Sequence, residues 1–303
     1  MEEQPLFSVL MMAYNQGKYI GEAIDSVLSQ DLPFKWELVI GDDASSDNTK
    51  EIVEYYLMKW PDNIRYYKHE FNIGLHANYM FLISKCKGKY IGLLEGDDYW
   101  IDPKKSIKQV GFMEENLSVS WTFTNGNIVN EDGEIQKYIS YDFPVIFDFE
   151  FFLNNYFNPL NNSIIFRKSS EPVVYPVFFS GVAQWDTVLH YLRSTNGSIG
   201  YVSINGLAWR RHSNAASFTP AFSGVKRSKD WITINKNIKE YLPLKFHKYF
   251  NVNFVAYEFI SIKFFHDKRI IPFIYYFFKM LIAKPIRPLM SYKDYLWKLK
   301  NKS

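Results

Sequence analysis

The chain has 303 residues, 47% hydrophobic and 18% aromatic, with a formal net charge of +3; this excludes a disordered polymer and leaves room for one large domain plus an appendage. Its single cysteine, Cys86, excludes an internal disulfide framework and fits a reducing compartment. The charge is unevenly spread, with 18 Lys/Arg against 27 Asp/Glu in residues 1–224 and 17 against 5 in residues 225–303, so an acidic body is followed by a basic tail suited to an anionic surface.

The acidic opening Met1-Glu2-Glu3-Gln4-Pro5 is unlike the basic start of a secretion signal, and a cytoplasmic location is the expectation. Residues 6–12 predict a buried strand and Tyr14-Asn15-Gln16-Gly17 a turn. Residues 19–30 predict a helix with Ile20, Ala23, Ile24, Val27 and Leu28 on one face. A second strand over 37–40 ends in Gly41-Asp42-Asp43. Asn48 followed by Glu51 suits a capping box for a helix that runs to about Lys59. A third strand over 64–68, a turn at Asn72-Ile73-Gly74 and a helix over 75–85 lead to an unbroken apolar run, Tyr90-Ile91-Gly92-Leu93-Leu94, which ends in Glu95-Gly96-Asp97-Asp98. Strands alternating with helices of this size imply an α/β fold with a mostly parallel sheet flanked by helices.

Asp102-Pro103 predicts a helix start with Pro at its first position, the helix running to about Asn116. Strands follow over 119–124 and 161–166, separated by an irregular, aromatic stretch. A helix over 187–194 comes next, then a strand over 199–202 and a further one ending at Leu207-Ala208-Trp209-Arg210-Arg211-His212.

Three predicted strands end in unusual chemistry: Ala13-Tyr14-Asn15, Gly41-Asp42-Asp43 and Glu95-Gly96-Asp97-Asp98. Ligands of parallel α/β sheets bind beyond the carboxyl ends of the strands, so these residues are candidates for one site. Crowded carboxylates need a shared cation or shared donors, and hard acids of this type suit Mg²⁺ or Mn²⁺. A polar loop is the alternative, with Asp as turn former or cap. Asp186 reads either as an N-cap or as a site residue, and Arg210, Arg211 and His212 either as solvated groups or as ligands.

Taken together, these residues resemble inverting glycosyltransferases of family 2, which have the GT-A, Rossmann-like nucleotide-diphospho-sugar fold. The resemblance covers about residues 6–215. Residues 7–15 are similar to that family's opening strand and Tyr-Asn turn, and residues 20–30 to its Ala-Ile-x-Ser-Val-Leu-x-Gln helix. Glu95-x-Asp97-Asp98 resembles its Asp-x-Asp-Asp metal signature, and Trp209-Arg210-Arg211-His212 its Tyr-Arg-x-His motif. The resemblance implies donor contacts from Ala13, Tyr14, Asn15, Asp42, Asp43, Glu95, Asp98 and Arg210. It implies an Mn²⁺ or Mg²⁺ site at Asp97, Asp98 and His212, and Asp186 as the catalytic base. Departures are Glu95 where Asp is commoner, Met12-Ala13 before Tyr14, no Arg before Asn78, and Gln184 near Asp186 where many members carry Glu.

The implied reaction is metal-dependent inverting transfer from a nucleotide-diphospho-sugar, UDP-sugar favoured, to a hydroxyl of a glycan or polyprenyl-linked saccharide in surface-polysaccharide assembly. A sugar-nucleotide pyrophosphorylase would open with a Gly-rich phosphate loop where this chain has Tyr14-Asn15-Gln16-Gly17-Lys18. A non-catalytic nucleotide- or lipid-binding module is the alternative from another class. The tail, 225–303, is expected to be a helical basic and aromatic extension of the 1–224 catalytic domain. Its longest apolar piece, 270–278, is too short to span a bilayer, which needs about 20 residues. Its helices either lie peripherally at the inner face of the cell membrane or pack on the body and expose their lysines. Its aliphatic-rich runs suit lipid better than base stacking, and no nucleic-acid partner is expected.

Overall fold

The apolar run at the start of the chain forms β1 (Phe7–Ala13), every residue of which is buried. It is followed by α1 (Ile20–Leu28), β2 (Trp36–Asp42), α2 (Thr49–Lys59), β3 (Ile64–Lys68), α3 (Leu75–Lys85) and β4 (Tyr90–Glu95). The computed structural model describes residues 4–155, 157–169, 175–182, 184–213, 215, 224–250 and 274–275. Strands β1, β2, β3 and β4 pair in parallel, in the spatial order β3-β2-β1-β4. Phe7, Val9 and Met11 of β1 share a core with Ile20, Ala23, Ile24 and Val27 of α1, and each buried large apolar side chain contributes about 1.5–3 kcal/mol.

The chain continues through β5 (Tyr99–Trp100), α4 (Lys105–Glu115), β6 (Val119–Val129), β7 (Ile135–Ile139), β8 (Ile146–Phe147), α5 (Phe149–Asn155), β9 (Ile165–Arg167), α6 (Trp185–Ser194) and β10 (Ser198–Arg210). Here the sheet departs from a purely parallel order. β9 inserts antiparallel between β4 and β6, and β6 then pairs in parallel with β10. The two strands expected over 199–202 and 207–212 are one strand, β10, with register shifts between Val202 and Leu207. Those irregularities carry it past the polar stretch that reads as a break.

Three local expectations change. The 161–166 stretch opens as a 3-10 turn, Asn161–Ser163, before β9 begins, because Ser163 N donates back to Leu160 O at 2.9 Å and Ile164 N to Asn161 O at 3.1 Å, with Ser163 Oγ also on Leu160 O at 2.7 Å. The expected cap at Asn48 makes no side-chain cap bond. Asp47 takes that role, accepting from Thr49 N at 3.1 Å and from Gly17 N at 2.8 Å. Asp102 does serve the start of α4, accepting from Lys104 N at 2.8 Å.

The chain divides into two compact units, one of Met1–Ser180 with Trp185–Thr219, the other of Gly181–Gln184 with Pro220–Ser303. The first holds the whole sheet. The second contains α7 (Gly224–Asn237), with 3-10 turns Ile238–Tyr241 and Leu244–Phe250 after it. Most of the tail beyond 250 lies outside the described residues, including the apolar piece 270–278 apart from Ile274 and Tyr275. Among the described residues no helix is long and apolar enough to cross a membrane.

Candidate active site

The parallel register brings the ends of β1, β2 and β4 level: Ala13 lies opposite Asp42, and Met12 opposite Glu95. The loops leaving β1 and β2 are stitched together by side chains. Asn15 N donates to Ser45 Oγ at 2.8 Å, Gln16 N to Thr49 Oγ1 at 2.9 Å, and Ser46 N to Asn15 Oδ1 at 2.9 Å. Asn15 and Ala44 adopt positive φ, 51° and 61°. Asn tolerates this, whereas alanine there stores roughly 1–3 kcal/mol of strain. The strained residue sits beside Asp43, where the chain turns sharply to bring two acids to one edge.

Asp42 is fully buried; it accepts from Ser45 N at 2.7 Å and Tyr66 Oη at 2.6 Å. Asp43 is also buried, with Ile73 N on one oxygen at 2.7 Å and Gly74 N on the other at 2.9 Å. Gly74 presents its amide from φ +86°, a conformation that side-chain-bearing residues rarely take. The Asn72-Ile73-Gly74 turn thus closes over Asp43 and holds it. Tyr14, next to Ala13, is half exposed at 50%.

At the end of β4 three acids stand close together. Asp98 is buried, its Oδ1 accepting from Arg210 N at 2.8 Å and its Oδ2 from Asn162 Nδ2 at 2.5 Å. Burial, then the charges of Asp97 and Glu95, hold its carboxyl well above the usual range. Glu95 is pushed up to about 8 by burial first and by the carboxylates of Asp97 and Asp186 next. Asp97 differs from its neighbours. One oxygen lies 3.1 Å from His212 Nε2, and the other is buried with no protein partner. Such an orphaned acceptor costs free energy unless a ligand meets it.

His212 is buried and packs on the Tyr19 ring at 4.8 Å between centroids. Arg210, implied on the diphosphate by the sequence resemblance, directs its guanidinium into the protein. Nε donates to Asp97 O at 3.1 Å and Nη1 to Glu131 O at 2.8 Å, and Nη2 pairs with Glu22. The Tyr19 and Tyr99 rings flank it at 4.9 and 5.3 Å. Asp186 lies in the first turn of α6. Its Oδ1 accepts from Thr187 N at 2.8 Å and its Oδ2 from Asn158 Nδ2 at 3.3 Å. It is close enough to Glu95 to raise that carboxyl, which brings the α6 end and the β4 end to one site.

The sequence reading did not single out Glu22, Glu131, Asn158 or Asn162. Asn162 lies near the start of the stretch expected as a strand over 161–166, and its partner Asp98 is 64 residues away. Glu131 lies in the loop between β6 and β7 and accepts from Lys18 Nζ at 2.7 Å and Tyr19 Oη at 2.9 Å. No local pattern announces such contacts.

Among the described residues no three His, Cys, Asp or Glu side chains form a complete metal-binding group. The arrangement that does exist, one carboxylate oxygen without a protein partner beside one imidazole, fits a divalent ion that takes its remaining ligands from a diphosphate and water.

Known proteins resemble this chain in sequence and in fold. Rv1520 of Mycobacterium tuberculosis, an uncharacterized protein, is 31% identical over 212 residues, covering 68% of this chain and 59% of its own length. The chain therefore spans less than two thirds of that relative. TuaG of Bacillus subtilis, named as a teichuronic acid biosynthesis glycosyltransferase, is 34% identical over 137 residues, 45% of this chain and 53% of TuaG. S. aureus TarS 1–349, solved in complex with UDP-GlcNAc, has a TM-score of 0.60 at 21% identity, over 85% of this chain and 72% of that one. The mannosyltransferase PcManGT of Pyrobaculum calidifontis, solved with GDP-Man and Mn²⁺, has a TM-score of 0.55 at 15% identity, over 84% and 72%. These structures share the GT-A fold seen here. The sequence profile described as "Glycosyl transferase family 2" matches residues 8–173, more than half of the chain, and with the sheet order and the two acidic strand ends it leads to one assignment: the protein belongs to glycosyl transferase family 2.

Proposed function

We propose that this protein is a metal-dependent, inverting glycosyltransferase that moves a sugar from a UDP-sugar to a hydroxyl of a glycan or lipid-linked saccharide in surface-polysaccharide biosynthesis. The observation that carries the reading is the orphaned Asp97 oxygen beside His212 at the end of a buried parallel strand. Asp97 and His212 would hold a Mn²⁺ or Mg²⁺ ion against the donor diphosphate. Bound there, the ion supplies Lewis-acid stabilisation of the charge that grows on the leaving nucleoside diphosphate.

The chain's own groups divide the remaining work. Tyr14, Asn15 and Asp43 shape the base pocket from two loops already fixed to each other. Asp42 buttresses that pocket through Tyr66 and Ser45. Asp98, with both oxygens taken by protein donors, fixes the acidic turn. Glu95 faces the donor between Asp97 and Asp186. Asp186 accepts the proton of the attacking hydroxyl, a contribution of about 10²–10⁴-fold. One direct displacement inverts the anomeric centre and needs no covalent nucleophile. The buried Cys86, its thiol pushed up to about 12 chiefly by burial, takes no part.

The UDP preference is supported by the UDP-GlcNAc bound in TarS, and the polysaccharide setting by the name of TuaG. The basic balance of 225–303, 17 Lys/Arg against 5 Asp/Glu, supports peripheral contact with an anionic membrane. Salt-sensitive binding of the full chain to anionic but not neutral vesicles would bear that out; equal binding to both would exclude it.

The decisive test is thermal stabilisation by UDP-, GDP- and dTDP-sugars with Mn²⁺, repeated with Asp97→Asn. One donor should stabilise the wild type in a Mn²⁺-dependent way, and the variant should lose at least about tenfold in affinity, 1.4 kcal/mol. If no donor stabilises the folded protein, the non-catalytic binding module becomes the better reading.

A further inference from the structure

The insertion of β9 antiparallel to β4 has a geometric consequence for the site. Gly92 of β4 lies opposite Ile165 of β9, so the chain enters β9 from the end of β4 that carries Glu95, Asp97 and Asp98. The segment it enters through is Asn158-Pro159-Leu160-Asn161-Asn162. Its far end is firmly held: Asn162 O accepts from Trp100 Nε1 at 2.9 Å, and Ser163 Oγ accepts from Thr124 N at 3.3 Å. Asn162 is 5% exposed. Its side-chain amide donates to Asp98 Oδ2 at 2.5 Å. At the near end, Asn158 Nδ2 donates to Asp186 Oδ2 at 3.3 Å. Pro159 restricts its own φ and keeps Asn158 extended.

We propose that this turn is a positioning element, a spacer in which Asn162 sets Asp98 while Asn158 sets Asp186, fixing the distance between the acidic turn after β4 and the base. The inference rests on the transferase reading above and deepens it. Asparagine suits the role because its amide N–H can hold a carboxylate without adding charge. A single displacement needs the attacking oxygen in line at about 3–3.5 Å, and a misplacement of about 1 Å costs on the order of 10²-fold. Neither asparagine touches the reacting atoms; each acts through a carboxylate.

The test uses the full-length protein, UDP with Mn²⁺ as the binding probe, and turnover with the sugar nucleotide chosen by the donor panel. Asn158→Ala, at an exposed position, should lower kcat by about 10- to 100-fold while the Kd for UDP with Mn²⁺ stays within about threefold. In an Asp186→Asn background the same substitution should change kcat by less than about twofold, because the group it acts through is gone. Asn162→Ala should instead weaken UDP binding with Mn²⁺ by about tenfold, and Asn162→Ser, which keeps one donor, should recover part of that loss. The proposal is overturned if Asn158→Ala leaves kcat unchanged, or lowers it equally in both backgrounds, while the wild type transfers sugar. A wild type that binds no nucleotide and turns over no donor overturns the transferase reading, and this inference with it.

Discussion

Arg210→Ala separates two accounts of one side chain. If the guanidinium serves the diphosphate, its loss should weaken donor binding and leave the fold intact. The structure assigns it to the protein instead: Asp97 O, Glu131 O and the Glu22 carboxylate, between two tyrosine rings, with 3% of the residue exposed. Glu22 is 52% exposed on its side chain, so that ion pair contributes at most about 1 kcal/mol after screening. The two bonds from a charged donor to backbone carbonyls are worth about 1.5–3 kcal/mol each. Allowing for water that reaches the vacated space, truncation should cost about 3 kcal/mol. At a urea m-value of about 2 kcal/mol/M, the unfolding midpoint falls by about 1.5 M. Arg210→Lys, which keeps charge but loses the fork, should fall in between. The assay is urea unfolding followed by far-UV CD, alongside titration with UDP and Mn²⁺. An Arg210→Ala protein within about 0.5 kcal/mol of wild type, but tenfold weaker for UDP, would refute the structural assignment.

Asp186→Asn should lower turnover by about 10²–10⁴-fold while UDP affinity changes little, read by initial rates and titration on the same protein. His190, fully buried and stacked on Trp121 at 5.4 Å, has its pKa driven well below the usual value by burial, with Arg193 adding to the effect. The unfolded chain therefore takes up this proton first, so the stability contribution is intact above about pH 6.5 and falls by about 1.4 kcal/mol per pH unit below it; His190→Phe should flatten that slope in urea melts at pH 5–7. Lys105 is fully buried with its amine 4.0 Å from the Trp100 ring centroid and no hydrogen-bond partner. Burial holds its pKa well below the ordinary lysine value, and the ring's attraction, about 0.5–2 kcal/mol, does not offset that cost. Because the unfolded lysine is charged at neutral pH, Lys105→Met should raise stability at pH 7 by about 1–3 kcal/mol and reduce its rise with pH; an unchanged melting curve would contradict this.

The first half of the fold was legible because its signals are local. Short apolar runs at β1, β2 and β4 end in turn residues, and helices of the right period lie between them. The second half was less so. β7 is exposed along most of its length and shows no alternation to mark it, while β10 crosses a polar stretch by slipping register. The candidate site was legible as residue types at strand ends, since topology alone gathers them. The jobs within it were not. Asp97 and Asp98 are adjacent in sequence, yet one keeps an oxygen without a protein partner and the other has both filled. That difference comes from Asn162 and the Arg210 backbone, which only the antiparallel β9 and the long β10 deliver.

The stitching between the β1 and β2 loops has a consequence for how a ligand is received. Loops that must be ordered on binding charge their conformational entropy against affinity. Here Asn15, Ser45, Ser46 and Thr49 have already settled that cost during folding. A nucleotide should therefore meet a pocket in its final shape, associate without a slow closing phase, and show little heat-capacity change beyond the area it covers. If these loops hold the base as proposed, the same bonds narrow the choice of guest: a base of the wrong outline would meet loops already fixed to each other.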